Sequence, residues 1–255
     1  MDGMLSQDEI NALLSGMDAP SDGATPEESA APEPAPAAPA AAPAGNSGPD
    51  ESLLTEIEKD AIGEVANISM GSSATTLYSL VNRKVNITTP VVTLAKWENV
   101  LEEYEKPCVF IQIKYTVGLD GSNILVLKEH DVKVITDLMM GGDGSNTDGE
   151  LGELHLSAIS EAMNQMMGSS ATSLSTMLGK MIDISPPEAS LVDLTAFKSG
   201  GDIAAFLEGS FVKIAFRMQI DDLVDSTIMQ LYPIDFAKEI CDTFLQSQMG
   251  ESGPA

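Results

Sequence analysis

The chain has 255 residues, 43% of them hydrophobic, with 39 Asp+Glu against 13 Lys+Arg and a formal net charge of −26. That is enough apolar material for one large domain or two small ones. The charge argues against nucleic acid or an anionic membrane as the main partner, because such binders gather basic residues against phosphates, and it suits a protein partner with a basic patch around its own site. The opening "MDGMLSQDEI" lacks the basic and apolar regions of a signal peptide, and no apolar run reaches bilayer length. Cys108 and Cys241 have no CxxC spacing and read as reduced, buried thiols of a cytosolic protein.

Residues 1–17 carry a short helix pattern. Ser6 and Glu9 form a capping box, Leu5 and Ile10 a hydrophobic staple, and Ile10, Leu13 and Leu14 share one face. About ten residues are too few for a lone helix in water. Such a segment is either an end docked on its own domain or a helix that folds into a partner's groove. The composition of residues 18–50 favours the groove. They are acidic and rich in Ala and Pro, with no lysine, arginine or aromatic residue, and read as a disordered linker.

From 51 to 247 the chain reads as globular, in two halves (51–141 and 149–247), with 248–255 as a tail or the start of a second linker. The first half opens on a helix with Leu54, Ile57, Ala61, Val65 and Ile68 as its apolar stripe. "KVNITTPVVTLAKW" reads as a strand broken at proline, "CVFIQIKYTV" and "NILVLKE" as a hairpin, and "HDVKVITDLMM" as a short helix. "GGDGSNTDGE" departs from the calcium-loop pattern and reads as a solvated connector. The second half replays this order. Its "MNQMM" run fits either a core or an adaptable contact surface.

Aligned without gaps, 64–90 and 161–187 share 11 of 27 residues, so the halves are a duplication related by a pseudo-two-fold axis. Among the shared residues are Glu64 and Asn67, matched by Glu161 and Asn164. At 100° per residue Asp60, Glu64, Asn67 and Gly71 fall on one helical stripe, about a quarter turn from the apolar one. Ser157, Glu161, Asn164 and Gly168 repeat it. A solvated face explains one E-x-x-N; the same pair kept in both copies, while Val65/Ala162 and Ile68/Gln165 diverged, asks for more. Asparagine does not titrate near neutral pH, yet its amide both donates and accepts, so it suits holding a water. That is enough where the electrophile is already activated, as a phosphoryl group beside a metal is. A glutamate one turn earlier suits clamping a partner's lysine. The glycine leaves room for close approach, and "GSSAT" suits a tight helix crossing. His130 and His155 are isolated and read as structural.

The pattern [Asp/Ser]-x-x-x-Glu-x-x-Asn-x-x-x-Gly, as "DAIGEVANISMG" and "SAISEAMNQMMG", resembles the active-site motif of the CheC/CheX/FliY phosphatases, which dephosphorylate the chemotaxis response regulator CheY. "LSQDEINALL" resembles the CheY-binding peptide of the switch proteins FliM and FliY. Peptide, linker and doubled motif together are similar to the FliY group. The resemblance implies an α+β domain: a six-stranded β-sheet with two long active-site helices and additional short helices. It implies that Asn67 and Asn164 orient the hydrolytic water and that Glu64 and Glu161 contact CheY. It also implies no cofactor on this chain, Mg2+ being supplied by CheY, and flagellar switch proteins (FliM, FliN, FliG) as further partners at the cytoplasmic face of the basal body. FliY proteins usually carry a C-terminal FliN-like domain; the sequence ends at "GESGPA", so that domain is expected to be truncated or absent. The alternative is a non-catalytic FliM-like scaffold, which would share peptide and domain but lack the Glu/Asn pairs.

Overall fold

The computed structural model describes residues 48–250 apart from 105, 106, 195 and 198. The N-terminal peptide with Leu5, Ser6, Glu9, Ile10, Leu13 and Leu14, most of the linker, and residues 251–255 lie outside the described residues.

Two 26-residue helices dominate, α1 (Glu56–Val81) and α4 (Glu153–Leu178). Between them come β1 (Val85–Ile87), β2 (Val91–Ala95), α2 (Trp97–Glu103), β3 (Cys108–Val117), β4 (Gly121–Lys128) and α3 (Glu129–Met139). After α4 come β5 (Asp183–Ile184), β6 (Glu188–Val192), two short 3-10 turns, β7 (Phe211–Ile220), β8 (Val224–Tyr232) and α5 (Ile234–Gly250). Thr55 starts α1 with a capping box: its hydroxyl accepts from the Glu58 N–H at 3.2 Å while the Thr55 N–H donates to the Glu58 carboxylate at 2.7 Å. Both long helices stop on a left-handed residue, Asn82 (φ 50°) and Gly179 (φ 64°), which stand at matching places in the repeat.

The sheet is antiparallel with order β1-β7-β8-β4-β3-β5; β2 also pairs with β7, and β6 with β3. Eight segments therefore fill six positions. Proline has no N–H for the ladder, so Pro90 splits one edge strand into β1 and β2, and Pro186–Pro187 split the other into β5 and β6. Each edge strand pairs with the opposite repeat, and the symmetry extends to single bonds. Thr88 N–H donates to Arg217 O at 3.0 Å, and its counterpart Ser185 N–H donates to Lys114 O at 2.8 Å.

Central strands are buried on both faces. Val109, Ile111 and Ile113 point toward the long helices, while Cys108 and Phe110 point to a second core with Trp97, Val100 and Leu207. Neither α2 nor the 3-10 turns that build this second cover were expected from sequence. Their apolar residues come in short, aperiodic groups that resemble loop.

Where the long helices meet, Ser73 Oγ donates to Met166 O at 2.9 Å and the hydroxyls of Ser72 and Ser173 are hydrogen-bonded. The small "GSSAT" residues thus allow the close crossing expected of them. Met163, Met166 and Met167 are fully buried, so "MNQMM" is core. One expectation fails. Ile57 is 71% exposed and Ile68 41%, so neither belongs to the buried face of α1. That face is Ala61, Ile62, Val65, Ala66, Ser69, Met70, Ser73, Leu77 and Val81. The side that turns inward combines Ile62, Val65, Met70, Leu77 and Val81 with small residues, of which Ser72 and Ser73 bond directly to α4. The Glu/Asn stripe consequently lies about half a turn from the core, not a quarter.

Candidate active site

Each repeat places its Glu/Asn pair in a shallow groove between a long helix and the proline break of the edge strand beside it. The first groove is lined by Glu56, Lys59, Asp60, Gly63, Glu64, Asn67, Thr89, Pro90 and Val92, with a volume of about 390 Å³. The second is lined by Leu156, Ser157, Ser160, Glu161, Asn164, Pro186, Pro187 and Ala189, about 380 Å³. The two sites are separate. Pro90 and Pro187 are equivalent in the repeat and wall equivalent grooves. Sequence reasoning missed that role, although the proline retained in both aligned copies was the signal for it.

Asp60, Glu64, Asn67 and Gly71 are all exposed, as are Ser157, Glu161 and Asn164; Gly168 is half-buried. A Cβ added at Gly71 or Gly168 would meet no atom within 4 Å, so both glycines border open space. Among the described residues neither asparagine side chain has a hydrogen-bond partner, which leaves each amide free to donate and accept outward. Lys59 ties the start of the first groove to Glu51 and Glu56, at 2.9 and 3.0 Å. Beside the second groove Gln165 Nε2 donates to Glu161 Oε1 at 2.8 Å.

Neither histidine lies in these grooves. His155 Nδ1 accepts from the Gly152 N–H at 3.1 Å and so caps α4. His130 lines a separate, larger concavity than either groove, about 590 Å³ around Tyr104, Cys108 and Lys128. Burial pushes the Cys108 thiol there up to about 12, and raises the Tyr104 phenol, so neither supplies an anionic nucleophile at neutral pH. Cys241 is buried too.

What the geometry defines is a duplicated α+β domain with two open grooves, each presenting an exposed amide and carboxylate one helical turn apart. Comparison with known proteins places it further. The profile of the CheC-like family matches residues 57–94 and 154–191, one window per repeat. The flagellar motor switch phosphatase FliY of Bacillus subtilis (strain 168) is 46% identical over 247 residues, 97% of this chain and 59% of that protein. The CheY-P phosphatase CheC of the same organism is 27% identical over 143 residues, 54% of this chain and 68% of that protein. The crystal structure of Thermotoga maritima FliY matches with a TM-score of 0.70 at 42% identity, covering 76% of this chain and 99% of that one. The chain belongs to the CheC-like family. It spans 59% of the length of the B. subtilis FliY.

Proposed function

We propose that this chain hydrolyses the aspartyl phosphate of the response regulator CheY, acting at the cytoplasmic face of the flagellar motor switch. The observation that carries the proposal is the pair of open grooves, each presenting an exposed Glu and Asn. Half a site is enough if the partner supplies the rest. The phosphoryl group and its Mg2+ belong to CheY. This chain adds the positioning of a water and a hold on the partner.

In this reading Asn67 or Asn164 enters the partner's site and fixes a water in line with the phosphorus. The water oxygen bonds to phosphorus, the bond from phosphorus to the aspartyl oxygen breaks, and the water's protons leave with inorganic phosphate and solvent. Aspartate is regenerated. Glu64 or Glu161 accepts hydrogen bonds from a CheY lysine and sets the depth of insertion. Asp60 and Ser157 begin each stripe and support the approach. Gly71 and Gly168 let the partner's backbone come close. The N-terminal peptide tethers phosphorylated CheY, and FliM, FliN and FliG are the neighbours in the switch.

The test is the rate of phosphate loss from phosphorylated, Mg2+-bound CheY with and without the full chain. Wild type should accelerate it, and Asn67→Ala/Asn164→Ala should return it to the partner's own rate. Binding without acceleration by wild type would leave a switch scaffold in place of an enzyme.

A further inference from the structure

An exposed aliphatic residue lies about one turn before the Asp/Ser that begins the stripe in each repeat. Ile57 is 71% exposed and Leu154 64%. Each lies seven residues before its glutamate, two turns up the helix, within about 20° of the glutamate's azimuth and about 10 Å from it along the axis. Each sits in the first turn of its helix, past the cap.

The duplication supplies an internal control. Over 57–94 and 154–191 the copies keep one offset, so every exposed apolar side chain has a counterpart. Ile68 is matched by Gln165, Tyr78 by Ser175, Val91 by Glu188, Met181 by Lys84, and exposed Leu191 by buried Leu94. Among these described positions only 57/154 is a large, exposed aliphatic in both copies. Drift explains a single exposed isoleucine. It does not explain why the position that diverged in identity, Ile against Leu, kept both size and exposure beside a retained Glu/Asn pair. Helix architecture does not explain it either: the staple partner of the residue before the cap would be the fourth helical residue, which is Lys59 in α1.

We propose that Ile57 and Leu154 are the docking residues of the two half-sites, each packing on an apolar patch of the phosphorylated response regulator beside its phosphorylation site. The assignment rests on the phosphatase reading above. At two turns from the glutamate these side chains cannot touch the reacting atoms. They lie on the same open face, continuous with the Asp60–Glu64–Asn67 and Ser157–Glu161–Asn164 stripes, so a globular partner seated on the amide also covers them. An apolar anchor there complements the polar grip of the glutamate: one contributes affinity by desolvation, the other fixes register. This role makes position 57/154 a determinant of which response regulator is accepted, because a receiver with a charged residue opposite it would be rejected.

The experiment isolates one site at a time in the full chain. Ile57→Ser is made in an Asn164→Ala background and Leu154→Ser in an Asn67→Ala background, and rates are followed across CheY phosphate concentration. KM should rise about tenfold, the scale of losing one buried aliphatic contact, with kcat within twofold. Ile57→Leu should keep the parent KM, and Tyr78→Ser, an exposed change near the far end of α1, should leave it alone. An unchanged KM would overturn the assignment, as would a fall in kcat at constant KM. So would a change in the chain's own oligomeric state by light scattering with KM intact, which would mean that a second copy covers this face. If wild type itself fails to accelerate hydrolysis, the phosphatase reading falls first; acceleration with an indifferent position 57/154 sinks only the docking role.

Discussion

The two grooves share a backbone plan and differ in what surrounds the glutamate. In the first, the residue just before Asp60 is a cation, Lys59, already held by Glu51 and Glu56. Leu156 takes its place in the second. Glu64 has no side-chain partner among the described residues, whereas Gln165 holds Glu161 at 2.8 Å. Gly63 becomes Ser160, and Thr89 becomes Pro186. The asparagine, glutamate, glycine and second proline do not change. Duplication has thus left the amide and its approach alone while altering the freedom of the carboxylate. On the proposed function, the first glutamate would have to be ordered as the partner docks, whereas Gln165 already orders the second.

The largest effect should come from closing the approach. Gly71→Leu in an Asn164→Ala background places a bulky side chain where a Cβ meets nothing in this chain, so only a partner would feel it. Phosphatase activity should fall more than tenfold. Melting temperature should rise by about 2–4 °C, since glycine inside a helix costs about 1 kcal/mol. Activity and stability falling together would instead indicate a damaged helix.

A smaller effect should follow from exchanging the residue that holds the glutamate. Gln165→Ile gives α4 the residue at the equivalent position of α1, and Ile68→Gln does the reverse. Measured with the opposite asparagine removed, KM should rise about threefold for Gln165→Ile and fall for Ile68→Gln, because preorganisation lowers the cost of binding. Equal KM values across the exchange would show that the Gln165–Glu161 bond is incidental.

The smallest effect lies outside both grooves. Asp131 is 3% exposed and accepts a hydrogen bond from Ser226. Burial raises its carboxyl above the usual range, against the lowering effect of that bond and of Lys128 and His130. A carboxyl with a raised folded pKa favours the fold while protonated, so stability is lost as pH rises from the ordinary carboxylate range through the raised value. Asp131→Asn should therefore raise the melting temperature at pH 7, with a smaller gain at pH 4. A lower melting temperature at pH 7 would mean that the charged form is the stabilising one.

Much of this architecture is legible in the chain. The repeat, both hairpins, both long helices and the proline breaks follow from spacing and turn chemistry. Ile57 and Ile68 show where reading by hydropathy stops. Periodicity put them in the core because they are the apolar residues at the right intervals. The face that packs carries Ile62, Val65, Met70, Leu77 and Val81, but Ala61, Ala66, Ser69 and Ser73 are interspersed among them and dilute its apolar signal, so hydropathy alone favours the wrong side. The half-turn displacement of the Glu/Asn stripe follows from the same choice. The groove walls were unreadable for a related reason: Pro90 and Pro187 join the site through the pairing of edge strands with the opposite repeat. Trp97 and Leu207 belong to a cover that forms only once both repeats have contributed strands.

The most direct test of the account is the pair of single variants, Asn67→Ala and Asn164→Ala, assayed for phosphate loss from CheY at saturating substrate. Two independent half-sites predict that each variant keeps part of the activity and that the two residual accelerations sum to that of wild type. A single variant indistinguishable from wild type, or one that alone abolishes the acceleration, would contradict that claim.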